Sequence, residues 1–224
     1  AEYKGRSLGS IADISTFSFH PVKNMTTGEG GMITTNNKIY MKRIRSFRNH
    51  GISTDHRERA EQGSWFYEMN DLGYNYRITD FQCALGLSQL DKLPKWIVRR
   101  NKIANTYNNA FIMNNYIEPL KVDINNLHAY HLYVVKINFE NLSIDRQELF
   151  LRLRKSGIAV NVHYIPVHLH PYYKKRFKIK RGLCPNAEHA YDQIISLPIF
   201  PKMTRNEVNK VISTLNKIID ESRL

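Results

Sequence analysis

Residues 15–31 read STFSFHPVKNMTTGEGG, and the fold follows from how that stretch is parsed. Residues 14–19 alternate large apolar with small polar side chains at period two, the pattern of a strand. His20-Pro21 ends it, because proline has no amide hydrogen to give a ladder. Lys23 comes just past the strand end, and four residues further on Gly28-Glu29-Gly30-Gly31 lets backbone approach a planar or anionic ligand without side chains in the way. A lysine amine held out of water there has its pKa pulled down and forms a Schiff base with a carbonyl substrate or with pyridoxal phosphate, PLP. Ser18, at the strand end, offers a hydroxyl to a phosphate oxygen. The residues alone leave a second reading open, in which Lys23 is a solvated loop lysine and TTGEGG is a turn feeding the next strand.

Working outward, residues 32–35 read as a second short strand. Asn36-Asn37 offers an N-cap for a basic amphipathic helix over 38–49, stopped by Gly51. Residues 52–76 hold no lasting period and read as a long aromatic loop. Thr79-Asp80 caps a helix whose Phe81, Ala84, Leu85, Leu87, Leu90 and Leu93 form an apolar stripe, and Pro94 breaks or kinks it before a further helix over 95–111. From Tyr116 the pattern changes. Residues 131–137 predict a strand, Asp145-Arg146-Gln147-Glu148 a capping box for a helix to Ser156, Gly157 its stop, and 158–164 another strand. A helix starting at Pro185, an extended 197–201 and a second capping box at Thr204-Glu207 complete an α/β or α+β pattern. The expected organisation is two domains, 1–115 and 116–224.

The chain has 224 residues with 33 Lys and Arg against 20 Asp and Glu, a formal charge of +13. That balance favours anionic partners such as phosphorylated small molecules, acidic lipid or nucleic acid. No run of 18 uncharged apolar residues is present, which excludes a spanning helix, and the two cysteines, Cys83 and Cys184, suit a reducing compartment. A soluble, cytoplasmic protein is therefore expected. His163, His168 and His170 form H-x4-H-x-H without a carboxylate or thiolate nearby in sequence, so no metal is expected there. Lys174, Lys175, Arg176, Lys178, Lys180 and Arg181 read as a solvated basic loop. With Tyr172, Tyr173 and Phe177 they also support a rival reading, a basic module for anions or nucleic acid.

The chain resembles the PLP-dependent sugar aminotransferases of the DegT/DnrJ/EryC1/StrS group. The resemblance runs through TFSFHPVKNMTTGEGGMITTN (16–36), FRNHGI (47–52), GYNYRITDFQCALGLSQL (73–90), HAYHLYVV (128–135), VHYIPVHLHPYY (162–173) and LPIFPKMT (197–204), in fixed order along essentially the whole sequence. It implies a fold-type-I enzyme of class α/β, the C-terminal part of a PLP-binding large domain followed by a small C-terminal domain, working as a homodimer with shared sites. By matching position, Lys23 is the Schiff-base lysine and proton carrier, and Ser18 binds the cofactor phosphate. Asn75 reaches the phosphate of the partner subunit's cofactor, and Arg77 is a weaker candidate for that same anionic neighbourhood. His163 and Tyr164 line the sugar pocket. Within the group, the residues most resemble enzymes that aminate a UDP-linked 4-keto-6-deoxy sugar on the pseudaminic acid route, with glutamate as donor.

Residue 1 is Ala, and only 22 residues precede Lys23. The resemblance implies an earlier half carrying a phosphate-binding helix N-terminus, an aromatic residue stacked on the cofactor ring, and an aspartate at its ring nitrogen. The expectation is a chain truncated at its N-terminus, with little or no activity alone and with exposed apolar strand edges. A non-catalytic, dimerising family fragment is the remaining alternative.

Overall fold

A computed structural model describes residues 1–224. In chain order the elements are β1 (Glu2–Tyr3), β2 (Arg6–Ser7), β3 (Ser15–Ser18), β4 (Gly31–Thr34), α1 (Lys38–Phe47), α2 (His56–Glu61), α3 (Asp80–Leu90) and α4 (Leu93–Phe111). There follow β5 (Ile117–Pro119), β6 (Asn126–Leu127), β7 (Tyr133–Ile137), α5 (Arg146–Lys155), α6 (Pro171–Phe177), α7 (Pro185–Gln193), β8 (Ile194–Leu197) and α8 (Arg205–Glu221). They fall into two compact units, Ala1–Pro94 with Ile124–His128, and Lys95–Asp123 with Ala129–Leu224. The sequence reading drew its boundary at 115/116. The contacts instead put α4 beyond Lys95 in the second unit, because Ile103, Ala104, Tyr107 and Phe111 bury themselves in that unit's core.

The first unit is built from small antiparallel pairings, β2-β1-β6 and β3-β4. Asn37 caps α1 through its side-chain oxygen, accepting from the Ile39 and Tyr40 amides. Thr79 and Gln82 form a capping box on α3. None of the buried hydrophobic side chains of the chain belongs to this unit. Phe17, Met32, Ile33, Ile39, Phe81 and Leu87 are all exposed, Phe81 at 90 %. The stripe read from the sequence does not hold as one helix face: α3 ends at Leu90, Leu93 and Pro94 fall in the first turn of α4, and Phe81, Ala84, Leu85, Leu87 and Leu90 are exposed.

The second unit holds the core. Its sheet is β5-β7-β8, antiparallel throughout, with Val135 opposite Ile195 and Ile137 opposite Ile117. Alternate residues of β7 point inward, as the period-two pattern requires. On α8, Val208, Val211, Leu215, Ile218 and Ile219 fall on one face and are buried, and the Thr204–Glu207 capping box starts the helix as read. Arg100 is buried on α4, where its guanidinium donates to the carbonyls of Tyr130 and Ile199 at 2.9 Å each. Burial alone pulls its pKa down. Tyr107 donates to the Pro198 carbonyl at 2.9 Å, and burial pushes its hydroxyl pKa up. These bonds pin α4 to the chain that leaves β8.

Three local expectations are corrected. Residues 158–164 are not a strand: Asn161 exchanges backbone bonds with Ser196, but its side-chain oxygen then takes the Val162 amide at 2.8 Å and the ladder stops. Residues 171–177 are a helix rather than loop, started by Pro171 at its first turn. His168 does have a carboxylate partner, Glu188, 20 positions away in sequence and 2.7 Å away in space. Glu188 is buried and also accepts from the Gly182 amide at 2.8 Å and the Cys184 amide at 3.3 Å. It thereby fastens the segment before α7 onto the helix.

Two predictions follow from this unit. Leu215→Ala removes a fully buried side chain and should cost about 2–5 kcal/mol in a urea melt. The His168 hydrogen bond, followed by the backbone amides, holds the Glu188 carboxyl below its ordinary 4.5. Its contribution to stability is thus complete above about pH 4.5 and is lost as pH falls through the lowered folded value. Glu188→Gln should lower the urea midpoint at neutral pH and flatten its fall on acidification, read from midpoints across pH 3–7.

Candidate active site

β3 and β4 pair with Ser18 opposite Gly31 and Phe17 opposite Met32, so residues 19–30 form the loop that carries Lys23. Phe19 closes that loop with both of its backbone groups. Its amide donates to the Gly30 carbonyl at 2.9 Å, and its carbonyl accepts from the Thr27 amide at 3.1 Å and the Thr26 hydroxyl at 2.8 Å. Thr26 Oγ1 accepts in turn from the Gly28 amide at 2.9 Å. Within this frame the Lys23 amide donates to the His20 carbonyl at 2.9 Å, forming a tight turn. Lys23 is half-buried and forms no salt bridge.

The glycines divide their labour. A Cβ at Gly30 would stand 2.4 Å from Thr27 Oγ1, and one at Gly31 would stand 2.9 Å from the Phe17 carbonyl. Both positions therefore serve the chain's own packing. Gly28, at φ +80°, has nothing within 4 Å of its would-be Cβ and leaves open space beside the loop. Ser18 is exposed, and its Oγ accepts from the His20 amide at 3.4 Å. The residues present are chemically suited to a phosphorylated aldehyde, since Lys23 offers an amine without a carboxylate partner and Ser18 an exposed hydroxyl.

The other residues singled out from the sequence lie elsewhere. Asn75 and Arg77 share the first unit with Lys23, but their contacts run to the end of α1. Asn75 makes a backbone bridge to Asn49, and Arg77 donates to the Asn49 side-chain oxygen. The amides of Tyr74 and Tyr76 donate to the carbonyls of Phe47 at 2.7 Å and Arg48 at 2.9 Å. Tyr74 and Tyr76 stack at 5.0 Å, and Phe47 leans on Tyr74 at 5.1 Å. The segments FRNHGI and GYNYR, separate in sequence, are thus one paired structure, presenting an exposed Asn75. A Cβ at Gly51 would stand 1.8 Å from the Asp71 carbonyl, so only glycine permits the pairing.

His163 and Tyr164 belong to the second unit. His163 Nδ1 lies 2.8 Å from Ser196 Oγ, and its ring meets that of Tyr164 edge-on at 4.5 Å. Tyr164 is exposed at 66 %. His163 and His168 are engaged by different partners, Ser196 and Glu188. The sequence reading missed Gln82, which bonds the Lys23 loop from α3. Its place three residues after Thr79 was a visible signal for the cap, but nothing local indicated the loop contact.

Known proteins resemble this chain along its length. The chain is 40 % identical over 220 residues to the spore coat polysaccharide biosynthesis protein SpsC of Bacillus subtilis, covering 97 % of this chain and 56 % of SpsC. It is 37 % identical over 221 residues to a UDP-4-amino-4,6-dideoxy-N-acetyl-beta-L-altrosamine transaminase of Campylobacter jejuni, covering 99 % and 56 %. Among solved structures, Helicobacter pylori PseC, an aminotransferase involved in the biosynthesis of pseudoaminic acid, superposes with a TM-score of 0.87 at 30 % identity, covering 98 % of this chain and 57 % of PseC. The PLP-form of the sugar aminotransferase Spr1654 from Streptococcus pneumoniae, itself described as putative, superposes at 0.86 and 33 % identity, covering 98 % and 55 %. The chain thus spans little more than half the length of the relatives it matches. The model of the DegT/DnrJ/EryC1/StrS aminotransferase family, whose members are PLP-dependent sugar aminotransferases of fold type I, matches residues 1–216, and the chain belongs to that family.

Proposed function

We propose that this chain is the lysine-bearing part of a cytoplasmic transaminase that moves an amino group, from glutamate, to the 4-keto carbon of a UDP-linked 4-keto-6-deoxy sugar. The observation that carries the reading is the closed loop of residues 19–30, which holds a half-buried Lys23 that forms no salt bridge, in the loop that leaves the strand ending at Ser18. Similarity to the Campylobacter altrosamine transaminase and to PseC supports the choice of sugar and the pseudaminic acid route. The +13 charge suits a diphosphate.

PLP, when bound, supplies an aldehyde and an electron sink for amino transfer. Lys23 Nζ would be the amine that anchors it and the base that moves the proton during amino transfer. Ser18 Oγ donates to a phosphate oxygen. The exposed Asn75 side chain is available to the phosphate of a second copy's cofactor, in a homodimer with shared sites, and Arg77 lends positive charge to the same region. In the second unit, His163, steadied by Ser196, and the exposed Tyr164 are assigned to sugar binding in this reading. Membrane and nucleic acid are not partners in this reading.

The test is to add PLP to the purified chain, reduce with borohydride, and map the pyridoxyl adduct by peptide mass spectrometry. Label should concentrate on Lys23 and vanish in Lys23→Ala, while label scattered over surface lysines would overturn the assignment. Because the unit bearing Lys23 buries no large apolar side chain, the chain supplied with PLP, glutamate and the keto sugar should by itself yield little amino sugar. Full turnover by the chain alone would contradict that expectation.

A further inference from the structure

The lysine loop is held from outside as well as by Phe19, and the outside contact comes from the first turn of α3. Gln82 uses both ends of its side-chain amide. Its Oε1 accepts from the Thr79 amide at 3.0 Å, completing the helix cap. Its Nε2 donates to the Glu29 carbonyl at 2.8 Å, across 53 positions of sequence. The same carbonyl accepts from the Thr27 hydroxyl at 2.6 Å, so both lone pairs of Glu29 O are in use. Thr27 is buried at 3 % exposure, and a Cβ at Gly86, one turn further along α3, would stand 2.9 Å from Thr27 Cγ2. The helix therefore lies against the loop at its closest possible distance, with one directional bond fixing its register.

We infer that Gln82 is a positioning residue for Lys23: it ties the start of α3 to the Glu29 carbonyl and so holds the lysine loop in its reactive shape. The role rests on the proposed reaction of Lys23 with a PLP aldehyde. It also accounts for why the residue is glutamine. A glutamate at the third position of a helix completes a capping box equally well, but a carboxylate has no hydrogen to offer the Glu29 carbonyl. Only an amide satisfies the helix and the loop together.

That difference makes Gln82→Glu a selective cut, keeping the cap and removing the clamp. Thr27→Val removes the other donor to Glu29 O while preserving shape, and Thr27→Ser keeps the hydroxyl as a rescue control. Each full-length variant would be compared with wild type by hydrogen exchange of the loop amides and by the PLP–borohydride label on Lys23 relative to other lysines. Losing one such bond predicts about a fivefold acceleration of loop exchange and about a fivefold drop in Lys23 selectivity for Gln82→Glu. Exchange within α3 should stay unchanged, and Thr27→Ser should behave as wild type where Thr27→Val does not. Wild-type selectivity for Lys23 together with unchanged values in Gln82→Glu and Thr27→Val would overturn the positioning role and leave the lysine assignment standing. Absence of Lys23 selectivity in wild type would overturn the lysine assignment instead. The clamp would then be decided by exchange alone, retained if Gln82→Glu speeds the loop and rejected if it does not.

Discussion

The backbone of Phe19 is the fixed point of the first unit. One residue closes a twelve-residue loop by donating to Gly30 and accepting twice, from Thr27 and Thr26. Loop residues that would otherwise sample many conformations are held between two paired strands, which is the entropy that folding must oppose most strongly. Everything asked of Lys23 depends on that closure, because an amine on an unclosed loop is a solvated surface lysine. The unit has no apolar core to impose the shape from beneath, so hydrogen bonds and glycine contacts carry it.

Much of this was legible in the sequence. The period-two run ending at Pro21, the caps at Asn37, Thr79 and Thr204, and the apolar spacing of α8 all appear where local physics puts them. Residues 52–76 were read as one loop, yet Asp55 and Glu58 form a complete capping box and start the short α2, a signal that was present and overlooked. The failure at 158–164 has a different origin. Its apolar pattern is strand-like, but Asn161 satisfies its neighbour's amide with its own side chain, and such local competition leaves no trace in hydrophobic periodicity.

The candidate site residues were proposed from the family pattern more than from spacing. Lys23 and Ser18 fall on a strand end and the loop after it, as read. The pairing of FRNHGI with GYNYR, the Glu188 partner of His168 and the Gln82 contact to Glu29 each link positions at least 20 residues apart. Contacts of that kind are set by tertiary packing, which a single sequence without an alignment does not expose.

The uneven burial between the two units also governs how the chain responds to denaturant and heat. Both the m-value and the heat-capacity change of unfolding scale with the surface that unfolding uncovers. With every buried hydrophobic side chain in one unit, a calorimetric or urea transition of this chain reports that unit. Normalised to 224 residues, it will look weakly cooperative, a consequence of where the core lies and not of loose packing within it.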